Sequence, residues 1–171
     1  KITPDFKKDD AFDKIYIYEI DQHILKNEID LAKSKANYIK SKYKREEVLD
    51  KILLIEINKL IEDNKLDDAY SEFGLVKEKS KTEIAAEAMY EQAEIIFKKG
   101  LLDSTLNVCS NLLNEIPGEY DYWIGKTYLL IADVFEAQMD YFQAKATLQS
   151  IIDNFAGSSE IVTAAKTKLD E

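Results

Sequence analysis

The sequence predicts an all-α protein, built as a right-handed superhelix of about four helix-turn-helix repeats with a C-terminal capping helix. A short motif recurs four times, and its small-residue positions lie 37, 36 and 39 residues apart. These positions are Ala32, Ala69, Thr105 and Ala144. Such a period is typical of solenoids, in which each helical hairpin buries its apolar face against its neighbours. Gly and Pro number only 5 and 2, and no segment shows the sustained alternation of a half-buried strand.

Apolar spacing predicts the helices in order, as four pairs and a final helix. They cover about residues 10–26, 29–43, 46–62, 66–78, 82–98, 102–115, 121–137, 141–154 and 158–170. We interpret residues 1–9 as an N-terminal entry segment and a fragment boundary, so that a targeting signal lies outside the chain. Residues 10–170 then form a single solenoid domain.

Residues that break helices set these boundaries. Asn27 is a tolerable left-handed cap, Gly100 ends the first helix of the third pair, and Pro117-Gly118 ends the second. After Gly157 the last helix carries one apolar stripe, and Lys168 is expected to face outward. A polar outer face is what a terminal capping helix requires.

Two small-residue positions recur within each pair, and they are 12 residues apart in all four pairs. The fourth pair reads Tyr128-x2-Ile131-Ala132-x2-Phe135, then Ala144-x3-Leu148, and the third ends at Pro117. This pattern resembles the tetratricopeptide repeat. The first two pairs depart from it, because they carry Ile20 and Ile57 where Gly or Ala is usual, which predicts wider packing or longer helices there.

Residues 84–170 are also similar to the C-terminal end of tetratricopeptide repeat proteins of Bacteroidota. That resemblance implies a bacterial origin and suggests a place in the cell envelope. These proteins have no well-defined common activity, so the resemblance implies none for this chain.

Composition and motifs argue against several functions. The net charge of −10 argues against nucleic acid, and no stretch approaches the roughly 18 apolar residues of a membrane span. The nucleotide-binding, hydrolase and zinc-protease motifs are missing. With one His (His23) and one Cys (Cys109), both expected in packing roles, we expect no enzyme, no cofactor and no metal.

The resemblance implies that the first helices of successive pairs line a concave groove that binds a partner segment. The groove candidates are Asp21, Asn58, Tyr90, Glu94, Phe97, Lys126, Leu129, Asp133 and Glu136. Their mixture of apolar side chains and carboxylates suits a partner with apolar and some basic side chains. A second candidate is an aromatic patch of Tyr120, Tyr122 and Trp123, for which packing between repeats is the alternative interpretation.

Three functional hypotheses remain open. The first is a non-catalytic protein–protein interaction scaffold that uses the groove. The second is a structural C-terminal part of a longer repeat array, acting through self-association. The third, which we rank below both, is binding of a glycan or small ligand by the aromatic patch.

Overall fold

The computed structural model of the chain describes residues 10–26, 28–43, 47–79 and 83–170. Within these ranges all regular structure is helical, and there is no strand. The helices are α1 (Asp10–Leu25), α2 (Ile29–Tyr43), α3 (Glu47–Glu62), α4 (Leu66–Lys79), α5 (Glu83–Lys98), α6 (Leu102–Glu115), α7 (Asp121–Ala137), α8 (Tyr141–Asn154) and α9 (Ser159–Asp170). The all-α prediction is confirmed, while the superhelical arrangement stays a prediction. The predicted entry segment 1–9 and the cap at Asn27 lie outside the described residues.

The chain divides into two compact units, Lys1–Glu62 and Asp63–Glu171. In the first unit α1 packs against α2, and α2 packs against α3. Its buried core includes Ile20, Ala36 and Ile57. Lys35 of α2 forms an ion pair with Glu19 of α1 and thereby links two packed helices.

The second unit contains α4 to α9. Each helix packs against the next along the chain; in addition, α5 contacts α7 and α7 contacts α9. The helices that begin the third and fourth pairs, α5 and α7, therefore lie side by side, and α9 lies next to α7.

The recurring small residues lie where the helices approach one another. Ala69, Ala93 and Thr105 are completely buried, and Ala132 is nearly so. Thr105 is compatible with this position because its hydroxyl donates to the Leu101 carbonyl at 3.0 Å. Small side chains there let two helix backbones come close, which raises the number of favourable contacts between them.

Three of the hairpin turns share one backbone conformation. Asn64, Gly100 and Met139 have φ of 59°, 73° and 61°, in the left-handed region. Each lies five residues before its small-residue position, Ala69, Thr105 or Ala144. In the third pair Gly100 N–H donates to the Phe97 carbonyl at 2.8 Å, and in the fourth Met139 N–H donates to the Glu136 carbonyl at 2.8 Å. These bonds satisfy carbonyls that the end of a helix leaves free.

Gly125 of α7 allows α9 to approach closely. A Cβ atom at this position would lie 2.7 Å from Ile161 Cγ2 and 2.8 Å from Phe155 Cζ. Gly118, by contrast, has no atom within 4 Å of such a Cβ. The two glycines therefore form a matched pair for testing how tightly this unit is packed.

We predict that Gly125→Ala lowers the free energy of unfolding by about 1–2 kcal/mol, because overpacking outweighs the better helix propensity of Ala. Urea unfolding followed by the fluorescence of Trp123, the single Trp of the chain, measures this change. Gly118→Ala should leave the midpoint almost unchanged. Equal midpoints for both variants would show that α7 and α9 are not packed as described.

Candidate partner-binding surface

The groove candidates of the third and fourth pairs lie on α5 and α7, which pack against each other. Helical spacing places them along one side of each helix. We use the name α5–α7 face for the surface formed by Glu91, Glu94, Phe97, Lys126, Asp133 and Glu136, together with Tyr90, which is buried beneath it.

Tyr90 is the centre of this face. Only 4% of the residue is exposed. Its hydroxyl donates to Glu94 Oε1 at 2.6 Å, and Lys126 Nζ lies 4.8 Å from the centre of its ring. Burial first, and then Glu94, raises the pKa of Tyr90 far above its ordinary value, so the ring stays neutral. A cation over a neutral aromatic ring is attracted to the ring face, so Lys126 is held close to α5.

The aromatic patch joins this face at Tyr90. The ring of Trp123 lies 5.6 Å from that of Tyr90 and 5.2 Å, edge to face, from that of Tyr122. Tyr120 and Trp123 are partly buried against the core that is formed mainly by α5 and α6, called here the α5–α6 core. Tyr122 packs against a different core, formed by α7, α8 and α9. These residues thus contribute to packing between the pairs, and Trp123 also borders the α5–α7 face.

Two carboxylates of the face have partners within the second unit. Burial opposes ionisation of Glu94, but the hydrogen bonds from Tyr90 and Lys98 outweigh it and lower its pKa. Lys98 Nζ lies 3.2 Å from Glu94 Oε2. Asp133 forms an ion pair with Lys168 of α9. The expectation that Lys168 faces outward is therefore wrong: it is partly buried and ties α9 to α7.

Glu91 differs from both of these carboxylates. Burial, followed by repulsion from the nearby Glu94 and Glu87, raises its pKa from the ordinary 4.5 to about 7, although Lys98 and Lys126 counteract part of the effect. Among the described residues Glu91 forms no ion pair. It therefore has a destabilised charge at neutral pH.

The remaining candidates occupy different environments. Leu129 is buried in the core of α7, α8 and α9, so its side chain is not at the surface. Phe97 is partly buried against the α5–α6 core, and Glu136 is exposed. Asn58 is partly buried on α3 of the first unit, and the side chain of Asp21 lies outside the described residues. The structure thus brings together the candidates on α5 and α7.

The second unit also contains the single cysteine of the chain. Cys109 is buried as expected, and burial raises its pKa to about 12, so the thiol is unreactive. The described residues hold no cluster of His, Cys, Asp or Glu suited to a metal ion. In that same part of the chain, no helix combines the length and apolar character needed to cross a membrane.

The described residues form an all-helical protein whose α5–α7 face combines carboxylates with partly buried aromatic rings. Comparison with known proteins gave no match, since no protein-family model, no curated protein and no solved structure matches the chain.

Three residues of this region are not among the groove candidates derived from the sequence: Glu91, Lys98 and Lys168. Glu91 shares a helix face with Glu87 and Glu94, a signal that the sequence does contain. The partnership of Lys168 with Asp133 joins residues 35 positions apart, and no local pattern indicates it.

We predict that Glu91→Gln flattens the pH dependence of stability. The folded chain keeps the Glu91 proton up to about pH 7, whereas the unfolded chain releases it near 4.5. The wild-type free energy of unfolding should therefore fall as pH rises across this interval. At pH 8 the variant should be more stable by on the order of 1 kcal/mol, since solvent reduces the effect at this partly exposed site.

Urea unfolding at pH 4.5 and pH 8 measures this difference. Glu136→Gln removes an exposed carboxylate of α7 and serves as the control, with a small effect expected at both values. A Glu91→Gln gain that is equal at both pH values would contradict a raised pKa.

Proposed function

We propose that this chain is a tetratricopeptide-like solenoid that acts as a non-catalytic protein–protein interaction scaffold. Two observations support the repeat architecture. The contacts of α5 with α7 and of α7 with α9 have the order expected when first helices line one surface. The left-handed turn recurs at the same place in three hairpins.

The α5–α7 face is the proposed binding surface. The observation that carries this proposal is that α5 and α7 pack side by side and place carboxylates next to the partly buried rings of Phe97 and Trp123. Glu94 and Asp133 already have cationic partners, whereas Glu91 forms no ion pair among the described residues, and Glu136 is exposed. A partner segment with basic side chains would relieve the repulsion at Glu91, and its apolar side chains would contact Phe97 and Trp123.

This proposal predicts selective peptide binding by the wild-type chain. On an array of random 12-residue peptides, it should retain peptides that combine Lys or Arg with Leu or Phe. Binding should weaken as salt rises from about 50 to 500 mM, because salt screens the charges. The variant Glu91→Lys/Glu136→Lys should lose most of this binding, because it reverses the two carboxylates of the face that form no ion pair among the described residues.

The matched control is Glu119→Lys/Asp170→Lys, which changes the net charge equally at exposed positions outside α5 and α7. It should bind as the wild type does. If both double variants bind equally well, the α5–α7 face is not the binding surface. If the wild type binds no peptide class selectively, the scaffold proposal itself fails.

A second candidate is a structural segment that associates with further helices, in a longer array or in a second copy. Ile15, Tyr18 and Leu25 on α1 are 59%, 64% and 78% exposed. In the repeat register Ile15 and Tyr18 match Thr127 and Leu130 of α7, which are buried. Concentration-dependent light scattering that Ile15→Lys/Tyr18→Lys abolishes would favour this candidate over the scaffold.

A further inference from the structure

The α7–α8 hairpin contains an open groove away from the α5–α7 face. Its volume is about 480 Å³. Its lining includes the apolar side chains of Ile131, Ala146 and Ile151, and Tyr128 and Phe155 contribute aromatic rings. Clefts of 300–1,000 Å³ with mainly apolar linings and a few polar groups are typical small-molecule sites.

We propose that this groove binds an uncharged, ring-bearing small molecule with hydrogen-bonding groups at its edge. The site does not depend on the proposed scaffold function, because the groove and the α5–α7 face have no lining residue in common.

An internal comparison shows that the open groove distinguishes this hairpin from the preceding one. On α5, Gln92 holds the register position of Ile131, and its side chain donates to the Tyr70 carbonyl of α4 at 2.9 Å. On α6, Glu115 holds the position of Asn154 and lies 3.0 Å from Lys77 of α4. In the α5–α6 hairpin, α4 thus contacts both positions. In the α7–α8 hairpin Ile131 packs against the core that includes α5 and α6 and also lines the groove. Asn154 lines the groove too, and its side chain donates to the Ser150 carbonyl of its own helix at 3.2 Å, not to a preceding helix.

The lining explains why the ligand is uncharged. No Asp, Glu, Lys, Arg or His lines the groove, although the chain carries 33 acidic and 23 basic residues. A charged ligand would lose part of its hydration there without gaining an ion pair, which is unfavourable. An uncharged ring loses little hydration and gains contact with Tyr128 and Phe155.

Polar groups along the groove suit the edge of such a ring. Among the described residues, the side chains of Gln143, Thr147 and Ser150 have no hydrogen-bond partner. All three residues lie on α8 and line the groove, and they offer both hydrogen-bond donors and acceptors. A ligand with hydroxyl, amino or carbonyl groups can therefore be oriented by this helix while its ring contacts the apolar side chains of the lining.

The test uses 1-aminoanthracene, an uncharged fused-ring amine at pH 7.5 whose fluorescence rises in apolar surroundings. We expect saturable binding at one site per chain. Ala146→Trp fills the groove and should weaken binding at least about tenfold. Lys145→Trp adds the same ring at the neighbouring exposed position and should leave binding unchanged. Circular dichroism confirms that both variants are folded.

The charged analogue anthracene-9-carboxylate tests the chemical class, and it should bind at least about tenfold more weakly than the amine. Absence of saturable binding, equal binding by Ala146→Trp, or equal binding of the carboxylate would each overturn the proposal. A dimer seen by light scattering that Ala146→Trp dissociates, without binding of the amine, would instead identify the groove as a protein-docking surface.

Discussion

The close approach of helices at small, completely buried residues is the constraint on which the second unit depends. Ala69, Ala93 and Thr105 leave no side-chain volume to separate neighbouring backbones, and Gly125 leaves even less between α7 and α9. Because protein interiors are close-packed, the helices cannot slide past one another without opening cavities. The separation of α5 from α7 is therefore set by the core and not by the polar groups above it.

That fixed separation determines which charged and aromatic groups of the α5–α7 face lie close to one another. It places Tyr90 of α5 beneath Lys126 and beside Trp123, both on α7. With water partly excluded, each charge depends strongly on its immediate neighbours, as the opposite pKa shifts of Glu91 and Glu94 illustrate. Two glutamates one turn apart on one helix thus differ because only one has hydrogen-bonding partners.

The sequence predicted the helices well because local chemistry marks their ends. Gly100, Pro117 and Gly157 each interrupt an apolar periodicity, and the observed bounds lie within about a residue or two of the predicted ones. The buried small residues followed from the repeat. The ion pair of Asp133 with Lys168 and the groove beside Ile131 were not predictable, because they depend on how distant helices pack and on spaces that packing leaves empty.

The burial of Cys109 makes it a natural reporter of motion. Its sulfur is enclosed where α6 packs between α5 and α7, and its thiol resists ionisation. The thiolate is the form that attacks an alkylating reagent, so modification requires α6 to separate from its neighbours. The rate of labelling in native conditions therefore measures the free energy of local opening of the third hairpin. A single endogenous thiol thus distinguishes partial unfolding of the second unit from its global unfolding.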